Sequence, residues 1–158
     1  LTAVANNEED ARLLFCPQMI ADGKLKPVAF PTEELMALSG KNGCSVDRII
    51  FFSPQDYKKI LKEKAIKIGD PEKKRTPCGF CIATVGNIRQ IKFADNCDSV
   101  LDVLPDPINN KNSPMPWDDA HAVIRRRQKS FMRSRIRGVR DKLIATFSDN
   151  IVSFMNIS

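Results

Sequence analysis

Residues 122–147 read AVIRRRQKSFMRSRIRGVRDKLIATF, and from Arg125 to Arg140 eight positions are arginine or lysine with no acid between them. On a helical wheel of about 100° per residue, Arg126, Lys129, Arg133, Arg137 and Arg140 fall within roughly 80° of one another. Ile124, Phe131, Met132, Ile136, Val139, Leu143 and Phe147 occupy the facing sector. The spacing therefore predicts an amphipathic helix over about 118–147, with Asp118 or Asp119 at its N-terminus and a cationic outer face. Gly138 weakens its middle by about 1 kcal/mol relative to alanine.

Charge is unevenly distributed around this segment. The 158-residue chain carries a formal net charge of +6, and the whole surplus lies between Trp117 and Ser148. An ordinary solvated helix face mixes signs, because like charges at i and i+4 repel by about 0.2–0.5 kcal/mol per pair. A one-signed stripe points to an anionic partner. Nucleic acid is expected, contacted at its phosphates by Arg126, Lys129, Arg133, Arg137 and Arg140. Few aromatics are interleaved with these bases, which favours duplex DNA or structured RNA over a single-strand stacking platform. The alternative is an interaction module that docks an acidic protein or a second copy of the chain through Phe131, Met132, Ile136 and Val139.

Working outward, residues 105–116 hold four prolines in PDPINNKNSPMP. That composition predicts a connector leaving a core over 1–104, followed by the basic helix over 117–148 and a tail over 149–158. Within the core, Glu8–Phe15 and Thr32–Leu38 have helical spacing, and Ser53-Pro54-Gln55-Asp56 begins a helix that runs to about Lys64. Arg48–Phe52, Phe80–Val85 and Ile88–Phe93 read as strands, with Gly86-Asn87 as a hairpin turn and Pro27–Phe30 as an edge. The fold class is α+β: a small, mostly antiparallel sheet with several helices. Lys73, Lys74 and Arg75, in the breaker-rich loop 69–77, extend the cationic surface if the fold brings them beside the C-terminal helix.

Composition, at 42% apolar and 28% charged residues, is that of a globular domain, and no apolar run reaches the length of a membrane-spanning helix. The first residues show no basic region followed by an apolar one, so no secretory signal is expected. Five cysteines are too few and too scattered for a secreted disulfide scaffold, which points to a reducing, intracellular setting, cytoplasmic or nuclear. Cys78-Gly79-Phe80-Cys81 has the spacing of a redox pair or half a zinc site. It runs into a β-rich segment rather than a helix and lacks a second pair, so ordinary buried or half-buried cysteines are expected there, with no metal. His121, the single histidine, is expected as a satisfied surface imidazole one turn into the basic helix, and Asp70-Pro71-Glu72-Lys73-Lys74 lies in a loop rather than on the strand that a metal nuclease requires. Catalytic residues are therefore not assigned, and without a Gly-rich phosphate loop no cofactor is expected.

Arg12-Leu13-Leu14-Phe15 followed by Met19–Phe30 resembles the opening of the ADP-ribosyltransferases, although the histidine those enzymes often carry near the start is absent. The resemblance implies a strand or helix, a short helix ending in glycine, a return strand and a transferase activity.

Overall fold

The computed structural model describes residues 3–37, 43–94, 98–127 and 133–158. In chain order the strands are β1 (Glu9–Pro17), β2 (Ile20–Ala21), β3 (Lys24–Leu25), β4 (Cys44–Arg48), β5 (Arg75–Thr84), β6 (Leu101–Pro105), β7 (His121–Arg126) and β8 (Ile151–Ser153). The α-helices are α1 (Thr32–Leu35), α2 (Tyr57–Ile68), α3 (Val85–Arg89) and α4 (Ile136–Ser148). Six strands form one sheet in the order β6-β7-β4-β1-β5-β8, every pairing antiparallel, while β2 and β3 make a separate hairpin. The α+β class with a mostly antiparallel sheet is thus the architecture of the chain.

Strand alternation divides the core in two. Leu14, Val46, Cys81, Ile124 and Val103 face α4, which buries Ile136, Val139, Leu143 and Phe147. That three-or-four spacing forms one stripe, and each buried side chain of this size contributes about 1.5–3 kcal/mol. Phe147 packs on Phe30 with ring centroids 4.9 Å apart. Ala11, Leu13, Phe15, Phe80 and Ile82 face the other way, against Leu61 and Ala65 of α2 and against Trp117 and Phe154. Gly79 permits the close approach of β8, because a Cβ there would overlap the Val152 carbonyl oxygen.

Several expectations are corrected. The C-terminal helix is shorter than 118–147: His121–Arg126 is strand β7, and the helix spans Ile136–Ser148. Ala122-Val123-Ile124 is β-rich and buried, and β7 is paired on both edges, by β4 and β6. A helical wheel cannot register such pairing. Residues 105–116 do not leave the core. They join the adjacent strands β6 and β7, tied by Asp106 N–H to His121 O at 2.9 Å and Ile108 N–H to Asp118 O at 2.9 Å.

Glu8–Phe15 lies mainly in β1, paired with β5 along all nine strand residues from Glu9 to Pro17. Ile88–Phe93 is not a strand, since Val85–Arg89 is α3 with Gly86-Asn87 inside it. Pro27–Ala29 and Ile49–Phe51 are 3-10 turns. The helix begun near Ser53 exists but runs from Tyr57 to Ile68.

The cysteines are corrected too. Cys78 forms a disulfide with Cys16, 62 residues away, with a Cα–Cα distance of 5.9 Å. Cys78 is thus committed to Cys16 and leaves Cys81 a free buried thiol, so the two cannot act as a pair. Burial pushes the thiols of Cys81 and Cys44 up to about 12, which keeps both protonated and inert. Cys97 lies outside the described residues. Because the Cys16–Cys78 bond closes a long loop, replacing both residues with serine is expected to lower stability by about 2–4 kcal/mol. A urea midpoint unchanged by that double substitution would show that strand pairing alone holds β1 against β5.

Candidate nucleic-acid interface and the buried charges

The five residues expected on one helical stripe do not share a helix. Arg126 is half-buried on β7, paired with Leu101, and projects by alternation to the sheet face that α4 covers. Lys129 lies outside the described residues, and Arg133 opens the 3-10 turn Arg133–Arg135 before α4. Arg137 is exposed on α4, beside Thr32, Glu33 and Met36. Arg140 is half-buried and paired with its neighbour Asp141, Nη2 to Oδ1 at 3.1 Å. Of the docking anchors expected for a protein partner, Ile136 and Val139 are 4% and 1% exposed, so both belong to the core. Phe131 and Met132 lie outside the described residues.

A different basic cluster is assembled from three segments. The Arg127 amide bonds Val100 O at 2.9 Å, and its Nε bonds Leu101 O at 2.8 Å. The Val100 amide in turn bonds Ile91 O at 3.1 Å, which brings Lys92 and Phe93 alongside. From α4, Lys142 Nζ donates to the carbonyls of Lys92 and Phe93, and the Arg135 guanidinium lies 5.5 Å over the Phe93 ring. Between the Lys92–Phe93 segment and the start of α4 is a concavity of about 310 Å³ lined by Lys92, Phe93, Arg135, Gly138 and Lys142. A Cβ at Gly138 would meet nothing within 4 Å, so this floor is open. Asp102 of β6 pairs with Arg89 at 2.9 Å and with Arg127 at 3.9 Å. Arg127, Arg135 and Lys142 lie within the stretch 122–147 that the sequence singled out, and Lys92 does not. Lys92 joins them through the bonds of its carbonyl and that of Phe93 to Lys142, which no local pattern announces.

Lys73, Lys74 and Arg75 extend a different surface. Lys73 stands 4.0 Å from Asp70, Lys74 takes a left-handed conformation at φ 59°, and Arg75 lies 4.4 Å over the Phe15 ring at the start of β5.

Sequence reasoning missed a set of buried charges where β1, β4 and α2 meet. Asp10 and Arg48 are register partners, as are Ala11 and Asp47. Arg48 grips Glu8 bidentately, Nε to Oε1 at 2.8 Å and Nη2 to Oε2 at 2.9 Å. Burial alone would push the Glu8 carboxyl up. The hydrogen bonds from Arg48 and the Ala5 amide, with the nearby Arg48 and Arg89 charges, outweigh burial and hold it below its usual range. Lys64 pairs with Asp47 at 2.6 Å across the other face. Asp10 is wholly buried, and neither carboxylate oxygen has a hydrogen-bond partner. Its carboxyl is pushed up to about 7, by burial first and then by the charge of Glu8. Glu8, Asp10 and Arg12 at alternate positions were the available signal, but the i,i+4 spacing of Glu8 and Arg12 also suits a helix.

His121 is not a surface imidazole on a helix: it is buried at the start of β7, with Nδ1 2.8 Å from the Asp106 carbonyl and 3.3 Å from its carboxylate. Among the described residues no cluster of three metal-ligating side chains forms. Asp70 and Glu72 remain in or beside the 3-10 turn Pro71–Lys73. No helix of the described residues is long and apolar enough to cross a membrane.

No protein family, curated protein or solved structure matches the chain. The segment that resembles the ADP-ribosyltransferase opening folds as β1 and the β2–β3 hairpin, without the short helix ending in glycine that the resemblance implies.

Proposed function

We propose that this chain binds nucleic acid, duplex DNA or structured RNA, through the cluster of Lys92, Arg135 and Lys142, with exposed Arg127 and Arg137 as flanking cations. The observation that carries the proposal is the convergence of cations from two separate segments, Lys92 and the Arg135–Lys142 stretch, on one open concavity. Such side chains contact phosphates and supply affinity and register rather than base choice. Phe93 is a single half-buried ring beneath Arg135, which suits a phosphate-directed surface better than a base-stacking platform.

Fluorescence anisotropy with a DNA duplex and an RNA hairpin, each across a range of salt, tests this. Replacing Lys92, Arg135 and Arg137 together with glutamine is expected to weaken binding by at least about tenfold. The log–log salt slope should become shallower by roughly 2–3, since each phosphate contact contributes about 0.9 on B-DNA. Lys73→Gln with Lys74→Gln should leave both unchanged. Full affinity in the triple variant overturns the assignment. An intracellular site of action goes with nucleic-acid binding, and the Cys16–Cys78 bond bears against it, because structural disulfides persist mainly in oxidising compartments.

A further inference from the structure

The sheet is split where β1 and β4 diverge. Their pairing is confined to Asp10↔Arg48 and Ala11↔Asp47, after which β1 continues against β5 alone. Arg12 spans the gap: Nη1 donates to Ser45 O at 2.9 Å and Nε to Ala29 O at 2.9 Å. Beside it opens a cavity of about 400 Å³, within the range of small-ligand sites.

Its charged groups are three cations, Arg12, Lys64 and Arg75, and two acids, Asp47 and Glu34, an excess of one positive charge. Two of the cations are buried, with Arg12 7% and Lys64 5% exposed. The Lys64 ammonium has three donors and gives one hydrogen bond, to Asp47. Arg12 Nη2 faces Glu34 Oε1 at 3.8 Å, an ion pair too long for a hydrogen bond. Buried cations with unfilled donors favour an anionic acceptor, because charge-assisted hydrogen bonds are strong where water is scarce. Arg75, held flat on Phe15, brings the third charge to the rim. Leu13, Met19, Pro31, Val28 and Ile68 give the remaining wall an apolar character, the last two being exposed.

We propose that this cleft binds a small organic monoanion, a carboxylate with a compact apolar body, its carboxylate directed to Arg12 and Lys64 and its body against Leu13 and Met19. The single excess charge matches one carboxylate, and the planar guanidinium of Arg12 suits that group. The site is separate from the basic cluster on α4 and does not depend on nucleic-acid binding.

Titration of the full chain with benzoate, followed by amide NMR shifts, tests the proposal. Leu13, Phe15 and Ser45 are expected to shift saturably with benzoate, whereas neutral benzyl alcohol should leave them in place. Arg75→Gln, an exposed rim substitution that leaves the buried pairs intact, should weaken benzoate binding by roughly three- to tenfold. The Lys92, Arg135 and Arg137 glutamine variant should bind benzoate as the parent does, which separates this site from the nucleic-acid surface. Absence of saturable shifts at the cleft, equal binding of benzyl alcohol, or undiminished affinity in Arg75→Gln each overturns it.

Discussion

Arg48→Met is expected to destabilise the protein by about 3–5 kcal/mol, because it strands the Glu8 carboxylate without its guanidinium. The two side chains are 3% and 4% exposed, so water cannot replace the lost partner. The guanidinium also holds the Ala3 carbonyl at 3.2 Å, stacks 4.9 Å from the Phe51 ring and offsets the charge of Asp10. Methionine approximates the arginine stem, which limits the loss of packing and leaves electrostatics as the main cause. Adding Glu8→Gln should recover part of the loss, since the orphaned group would then be neutral. Urea denaturation at neutral pH measures both variants. A loss below about 1 kcal/mol for Arg48→Met would mean that the pair behaves as a surface salt bridge.

Asp10 is expected to make the protein less stable as pH rises from about 4 to 7. The unfolded side chain ionises near 3.8, whereas the folded one retains its proton to about 7. Below about 3.8 both states are protonated and Asp10 contributes no pH dependence. Between the two values the unfolded chain releases the proton first, so the equilibrium moves toward unfolding. Above about 7 both are ionised and the penalty is constant, on the order of 4 kcal/mol by proton linkage. Glu8 acts oppositely: its depressed carboxyl stabilises the fold above its unfolded value of 4.5, and that contribution disappears as pH falls through its folded value. Asp10→Asn removes the first effect alone. Its stability advantage over the parent should therefore grow from pH 4 to pH 7, whatever constant offset the amide introduces. Parallel stability curves for the two proteins over that range would exclude this role for Asp10.

The α+β class was legible in the sequence, as were α2, the strand around Phe80–Thr84 and the apolar stripe Ile136, Val139, Leu143 and Phe147. In each case local composition and spacing agree with the environment that the segment enters. Two segments went wrong for a shared reason. The spacing of Glu8–Phe15 and of residues 122–127 satisfies a helical wheel, but both are strands because each lies between two partner strands. Hydrogen bonds on both edges and cover on both faces override a weak local preference.

Composition also established the cationic excess of residues 117–148, since charge requires no fold to be counted. Which of those cations act together depended on the tertiary structure. Pairing of β6 with β7 tied Arg127 to Val100 and Leu101, and the path of α4 across the sheet brought Arg135 and Lys142 to Lys92 and Phe93. The Cys16–Cys78 bond, the unpartnered Asp10 and the split between β1 and β4 were likewise decided by folding. Each joins residues that are tens of positions apart, or depends on what covers a strand, and neither relation leaves a trace in local periodicity.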